Sequence, residues 1–159
     1  MQRQSKYKLF AAEFVSSLAE DLAIDITANV GEVHLYEHIE KPYVSALLVV
    51  LDDFAMRERL HIKGSERITL TFKSTDPSDA SDPITKFFFI SKVLDVKTVN
   101  DRTEMLSIEL VEDHFWINSV KQISKSYTGE LDEICEEILS DQLGKSVQRK
   151  DFTGTAQGV

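Results

Sequence analysis

Glu66-Arg67-Ile68-Thr69-Leu70-Thr71-Phe72-Lys73 decides how the rest of this sequence reads. Ile68, Leu70 and Phe72 alternate with Arg67, Thr69, Thr71 and Lys73. That period of two puts three apolar side chains on one face of an extended strand and the polar ones on the other. A half-buried strand needs partners, and the flanking sequence supplies them. Met105 to Glu112 alternates in the same way through Leu106, Ile108 and Leu110. Tyr43 to Leu51 instead carries apolar residues at both parities, Val44, Ala46, Leu48 and Val50 against Tyr43, Leu47, Val49 and Leu51. Ile84 to Val99, with Phe87-Phe88-Phe89-Ile90, does the same. Both runs read as strands covered on two faces, which points to contact with another chain or domain. Tyr7 to Val15 and Val30 to Ile39 complete the set.

The punctuation between these runs fits an antiparallel arrangement. Asn100-Asp101 supplies a tight turn between two strands, because both residues tolerate left-handed backbone angles. Lys41-Pro42 turns the chain into the strand that follows. Asp52-Asp53 closes that strand, with Asp53 expected to cap a short helix through Phe54 to Arg59, and Gly64 then turns the chain back. Thr75 to Pro83 is a polar, proline-bounded loop.

The period changes in the last third. Leu131, Ile134, Cys135, Ile138, Leu139 and Leu143 recur every three or four residues, which predicts an amphipathic helix. Thr128 is the expected N-cap, Glu130, Asp132 and Glu133 suit the positive end of the helix dipole, and Gly144 is the stop. The fold class is therefore mainly β (β plus α): an antiparallel β-barrel over residues 1–126, an amphipathic helix over 127–144, and a polar tail or the start of a further region over 145–159.

The chain has 159 residues, 42% of them hydrophobic and 28% charged, enough for one domain with its own core. A net charge of −9 disfavours nucleic-acid or anionic-membrane surfaces as specific partners. The single cysteine, Cys135, can form no internal disulfide, so synthesis in a reducing cytoplasm is expected. No signal peptide is read at the N-terminus, and the longest apolar run, Ala46 to Leu51, is far too short to span a bilayer as a helix.

The residues offer little for catalytic or metal chemistry. His34 and His38 lie roughly 13 Å apart if they share a strand rising about 3.3 Å per residue, too far to share one ion. His61 and His114 have no nucleophile motif beside them. Cys135 is surrounded by Glu133, Glu136 and Glu137, the opposite of the electropositive setting that makes a thiolate. No phosphate-binding glycine loop and no calcium loop occurs. We therefore expect no enzyme activity, no cofactor and no metal site. Tyr43, Leu47, Val49, Phe87, Phe89 and Trp116 become the candidate protein-interface residues.

Three blocks carry a resemblance. They are Val33-His34-Leu35-Tyr36-Glu37-His38-Ile39-Glu40-Lys41-Pro42-Tyr43-Val44-Ser45-Ala46-Leu47-Leu48-Val49-Val50-Leu51-Asp52, then Leu60-His61-Ile62-Lys63-Gly64-Ser65-Glu66-Arg67-Ile68, and then Phe115 to Tyr127 with Ser124-Lys125-Ser126-Tyr127. In order and spacing, over roughly residues 7 to 143, they resemble the N-terminal barrel region of the baseplate hub protein family of T-even-type contractile-tailed phages (myoviruses). The resemblance implies a tail-tube-like barrel in a structural virion protein, made in the bacterial host cytoplasm and placed in the tail baseplate. It implies self-association in a ring, as a homotrimer or hexamer-like, and contact with the tail tube protein, the central spike and baseplate wedge proteins. DNA would pass through the lumen. The family carries two such barrels per subunit and this chain has room for one, so six copies or a second barrel protein would be needed to meet a sixfold tube. The alternative reading is a non-enzymatic β-barrel module that binds a polysaccharide or a protein, with Trp116 and Tyr43 as its contact aromatics.

Overall fold

A computed structural model describes residues 6–16, 23–59, 62–64, 66–76, 78–122, 124–142, 144 and 155–156. The chain divides into two compact units, residues 1–113 and 114–159. The expected division at 126/127 falls inside the second.

The first unit is one antiparallel sheet of seven strands: β1 Tyr7–Val15, β2 Ala23–Asp25, β3 Val30–Tyr36, β4 Ser45–Asp52, β5 Arg67–Ser74, β6 Ile84–Asn100 and β7 Thr103–Val111. Their order is β2-β1-β5-β6-β7-β4-β3. The strand read from Glu66 to Lys73 is β5, and its alternation is the burial pattern, with Ile68 and Leu70 fully buried. The same parity runs round the sheet. Ala12 and Phe14, Ala46, Leu48 and Val50, Phe88 and Ile90, and Leu106, Ile108 and Leu110 join Ile68 and Leu70 in one cluster with Ile26 and Met56. Each large member contributes about 1.5–3 kcal/mol of transfer free energy.

A single sheet whose one face forms a single buried cluster must curl round that cluster, and a short turn shows that it does. β2 and β3 are two halves of one broken strand, separated by a 3-10 turn at Thr27–Asn29. Before the turn the chain pairs with β1; after it, with β4. Ile26 N donates to Ala12 O at 2.9 Å and Ala12 N to Thr27 Oγ1 at 2.8 Å, while Asn29 Nδ2 donates to Leu51 O at 2.9 Å. The turn thus holds β1 and β4, separated by three strands in the ladder order, within one residue stretch of each other. The barrel read from the sequence is this curled sheet, with β2 and β3 as edges in place of a closed ring of hydrogen bonds.

Two acidic side chains fix the same end of the unit. Asp52, buried at the end of β4, accepts from Phe54 N at 3.3 Å, Met56 N at 2.8 Å and Arg57 N at 3.4 Å, starting helix α1 (Met56–Arg59). The expected cap, Asp53, points elsewhere and accepts from Asn29 Nδ2 at 2.9 Å. The reason lies in the backbone: Ala55 takes a left-handed φ of 58°, which folds the chain back over Asp52. Glu66, also buried, accepts from Lys63 N and Gly64 N at 2.8 Å each. Gly64 sits at φ +97°, where a side chain would be strained.

The second unit begins with helix α2, His114–Val120, a segment whose run of aromatic and β-branched residues gave no helix signal in the sequence. It continues through β8 Gly129–Glu130, α3 Leu131–Glu137 and a π-helical turn Ile138–Gln142. The amphipathic helix therefore starts two residues later than a Thr128 cap would place it. Glu130 is the N-cap position, because Gly129 at φ 145° and Glu130 first pair as a strand with β9, Thr155–Ala156. Gly144 stops the helix in left-handed geometry, φ 64°, with its N–H on Ser140 O at 3.1 Å. Of the expected polar tail, residues 145–154 and 157–159 lie outside the described residues.

Candidate interaction surface

Five of the six interface candidates belong to the first unit. Leu47 and Val49 alternate with buried Ala46, Leu48 and Val50, so they stand on the outer face of β4. The register sets Leu47 between His34 of β3 and Glu109 of β7, and Val49 between Glu32 and Ser107. Both are half-buried, shielded by the stems of longer neighbours. Phe89 is outward on β6, between Arg67 and Val111, and is also half-buried. Phe87 lies opposite Thr69, past the end of the β6–β7 ladder, and is 58% exposed.

These four share one face but do not form one patch. β7 runs between the two pairs, so they stand roughly 10 Å apart at normal strand spacing. At the level of Leu47 the strip is crossed by the ion pair of Lys92 and Glu109, 3.5 Å. Tyr43 lies in the turn before β4, with Lys41 Nζ 5.8 Å from its ring centre. Trp116 is on α2 in the second unit, edge-on to Phe115 with ring centres 4.9 Å apart.

The two-sided apolarity of β4 and β6 thus resolves differently in each. On β4 the outer residues are covered in part by cross-strand neighbours. On β6 three register shifts, between Ile90 and Lys92, Val93 and Asp95, and Thr98 and Asn100, rotate successive side chains, so that Leu94 and Val99 face solvent.

A further apolar surface carries no signal in the sequence. A cleft of about 570 Å³ lies between residues 7–9 of β1 and the whole of β3, with Leu9, Val33, Leu35, Phe72 and Ile84 among its lining. Tyr7, Leu35, Tyr36 and Ile84 are all exposed there or beside it. Leu9, Val33, Leu35, Phe72 and Ile84 continue the ordinary inward alternation of their strands, whereas Tyr36 is on the outer parity. Nothing in that alternation tells that the neighbouring strand is missing.

The polar groups at this end are few. Lys86 reaches Glu112 at 3.3 Å, and the other oxygen of Glu112 accepts from Val44 N at 2.9 Å, tying β6, β7 and the start of β4 together. Lys73 Nζ sits 3.4 Å from the centre of the Phe10 ring, a cation–π contact on β1. His34 Nε2 pairs with Glu32 at 3.1 Å, and His38 Nδ1 accepts from Glu40 N at 3.2 Å, so the two histidines have separate partners. His61 lies outside the described residues. Among the described residues no three metal-ligating side chains converge.

Carboxylates perturbed by their surroundings belong to turns. Hydrogen bonds from Thr27 hold Asp25 below its ordinary pKa, and those from Ser78 and from Ser81 do the same for Asp76 and Asp79 in the loop before β6. In the second unit, the hydrogen bond to Glu137 raises Lys125. None of the three aspartates lines the cleft.

No protein-family model matches the sequence, and no curated protein does. Among solved structures the chain is similar to a chain of the Francisella PdpA-VgrG complex in its half-lidded form, with 10% identity and a TM-score of 0.45. The match covers 83% of this chain and 22% of that one, so this chain spans about a fifth of its length.

Proposed function

We propose that this chain is a structural protein of a contractile tail baseplate, a hub component that joins the central spike to the tail tube in the virion. It acts by assembling with copies of itself and with neighbouring tail proteins, and it catalyses no reaction. What supports the reading is that two of the three blocks resembling the hub family are the parts on which the curled sheet depends. The first is the β3–β4 hairpin ending on Asp52. The second is the Lys63-Gly64 turn, whose two backbone N–H groups are taken up by buried Glu66.

Sedimentation equilibrium on the purified chain tests this: a trimer or a ring is the expected mass. A reconstruction of the source particle with the chain outside the baseplate would overturn it. The cleft beside β3 is the observation that favours the second reading, a binding module.

A further inference from the structure

We propose that the seam between β1 and β3 takes up an extended peptide segment as an additional strand, its alternate side chains apolar and its flanks basic. Along this seam β3 and residues 7–11 of β1 run antiparallel to each other with no ladder between them among the described residues. Among the described residues β3 pairs only with β4, and residues 8–11 of β1 only with β5, so each turns a row of main-chain N–H and C=O groups toward the cleft. A strand laid between them can bond to both, antiparallel to one flank and parallel to the other.

The cleft then reads as the missing strand's bed. β3 is seven residues long. A segment of that length sends every second side chain to one face, so about three or four would rest on Leu9, Val33, Leu35, Phe72 and Ile84. The charged groups that line the cleft are Glu32, Glu37 and Lys86. Lys86 is held by Glu112 and Glu32 is shared with His34, so the carboxylates set the sign and select lysine or arginine in the incoming segment. A polysaccharide has neither main-chain donors at strand spacing nor positive charge, and edge pairing therefore specifies a peptide. The inference does not rest on the baseplate reading.

The probe is a fluorescent synthetic peptide of alternating valine and threonine flanked by lysines. One control has proline at alternate positions, which removes main-chain donors; another has glutamates in place of the lysines. On the unmodified chain the lysine peptide should bind at least about tenfold tighter than either control by fluorescence anisotropy. The double variant Glu32→Lys/Glu37→Lys should invert the lysine–glutamate preference, and Leu35→Asp should abolish binding. All three residues are exposed, so both variants should melt near the parent temperature. Should either fail to fold, the three peptides on the unmodified chain decide alone. Equal binding of the three, no binding at about 1 mM, or preference for an oligosaccharide would overturn the proposal. So would finding the seam-facing amides of β3 already protected from exchange in the chain by itself, which would put its own segment or a second copy in the seam.

Discussion

The two ends of the first unit are built on opposite principles. At one end side chains take up backbone: Asp52 and Glu66 accept five N–H groups between them, counting three for Asp52 and two for Glu66, and Thr27 and Asn29 join β1 to β4. At the other end the same strands simply run out, leaving main-chain groups of β1 and β3 and the side chains of Leu35 and Ile84 around a cleft. The difference teaches where stability and where binding reside. Buried polar atoms that satisfy main-chain donors are costly to lose, whereas exposed apolar atoms on an unpaired edge contribute little to folding and much to association.

That contrast can be broken most forcefully at the closed end. Glu66→Ala removes a buried side chain and leaves the part-buried N–H groups of Lys63 and Gly64 without their acceptor, and should cost about 3 kcal/mol in urea denaturation. Asp52→Ala should cost a similar amount, about 2–3 kcal/mol, since it also removes the start of α1. Gly64→Ala tests the turn itself. Its Cβ would meet only Ile90 O at 3.6 Å, so the expected loss, about 1 kcal/mol, is one of backbone strain at φ +97°. At the open end Leu35→Ser should fall within about 0.5 kcal/mol of the parent. If the open-end substitution proves as costly as the closed-end ones, the contrast fails.

A smaller effect depends on pH. Asp25 is held below its ordinary value of 3.8 by Thr27, so its ionised form favours the folded state. That contribution is present above the unfolded pKa and is lost as pH falls through the lower folded one. Asp25→Asn should therefore melt slightly below the parent at pH 7, and the two melting curves should converge in strong acid.

Much of this fold was legible in the sequence. β5 and β7 could be read because apolar alternation is a direct record of which side faces the core, and Ile68, Leu70, Ile108 and Leu110 are buried as their parity requires. The three residues of β2 are too few to show a period, and the helical His114–Val120 was hidden because Phe, Trp, Ile and Val are strand formers by intrinsic preference. The Asp53 cap failed by one residue, since the left-handed Ala55 that selects Asp52 leaves no mark on composition. Of the interface candidates, Leu47, Val49, Phe87 and Phe89 stand on the outer face of their strands. The cleft was not foreseen, because it is made by a strand that changes partner at Thr27–Asn29, a tertiary event.

Residue-resolved amide exchange on the isolated chain tests the open seam most directly. Amides of Leu48 and Ile108, in the interior of the ladder, should exchange slowest, while every second amide of Val30–Tyr36, facing the seam, should exchange orders of magnitude faster. Uniform protection along β3, matching that of β4, would contradict an edge there and with it the account of how this protein meets a partner.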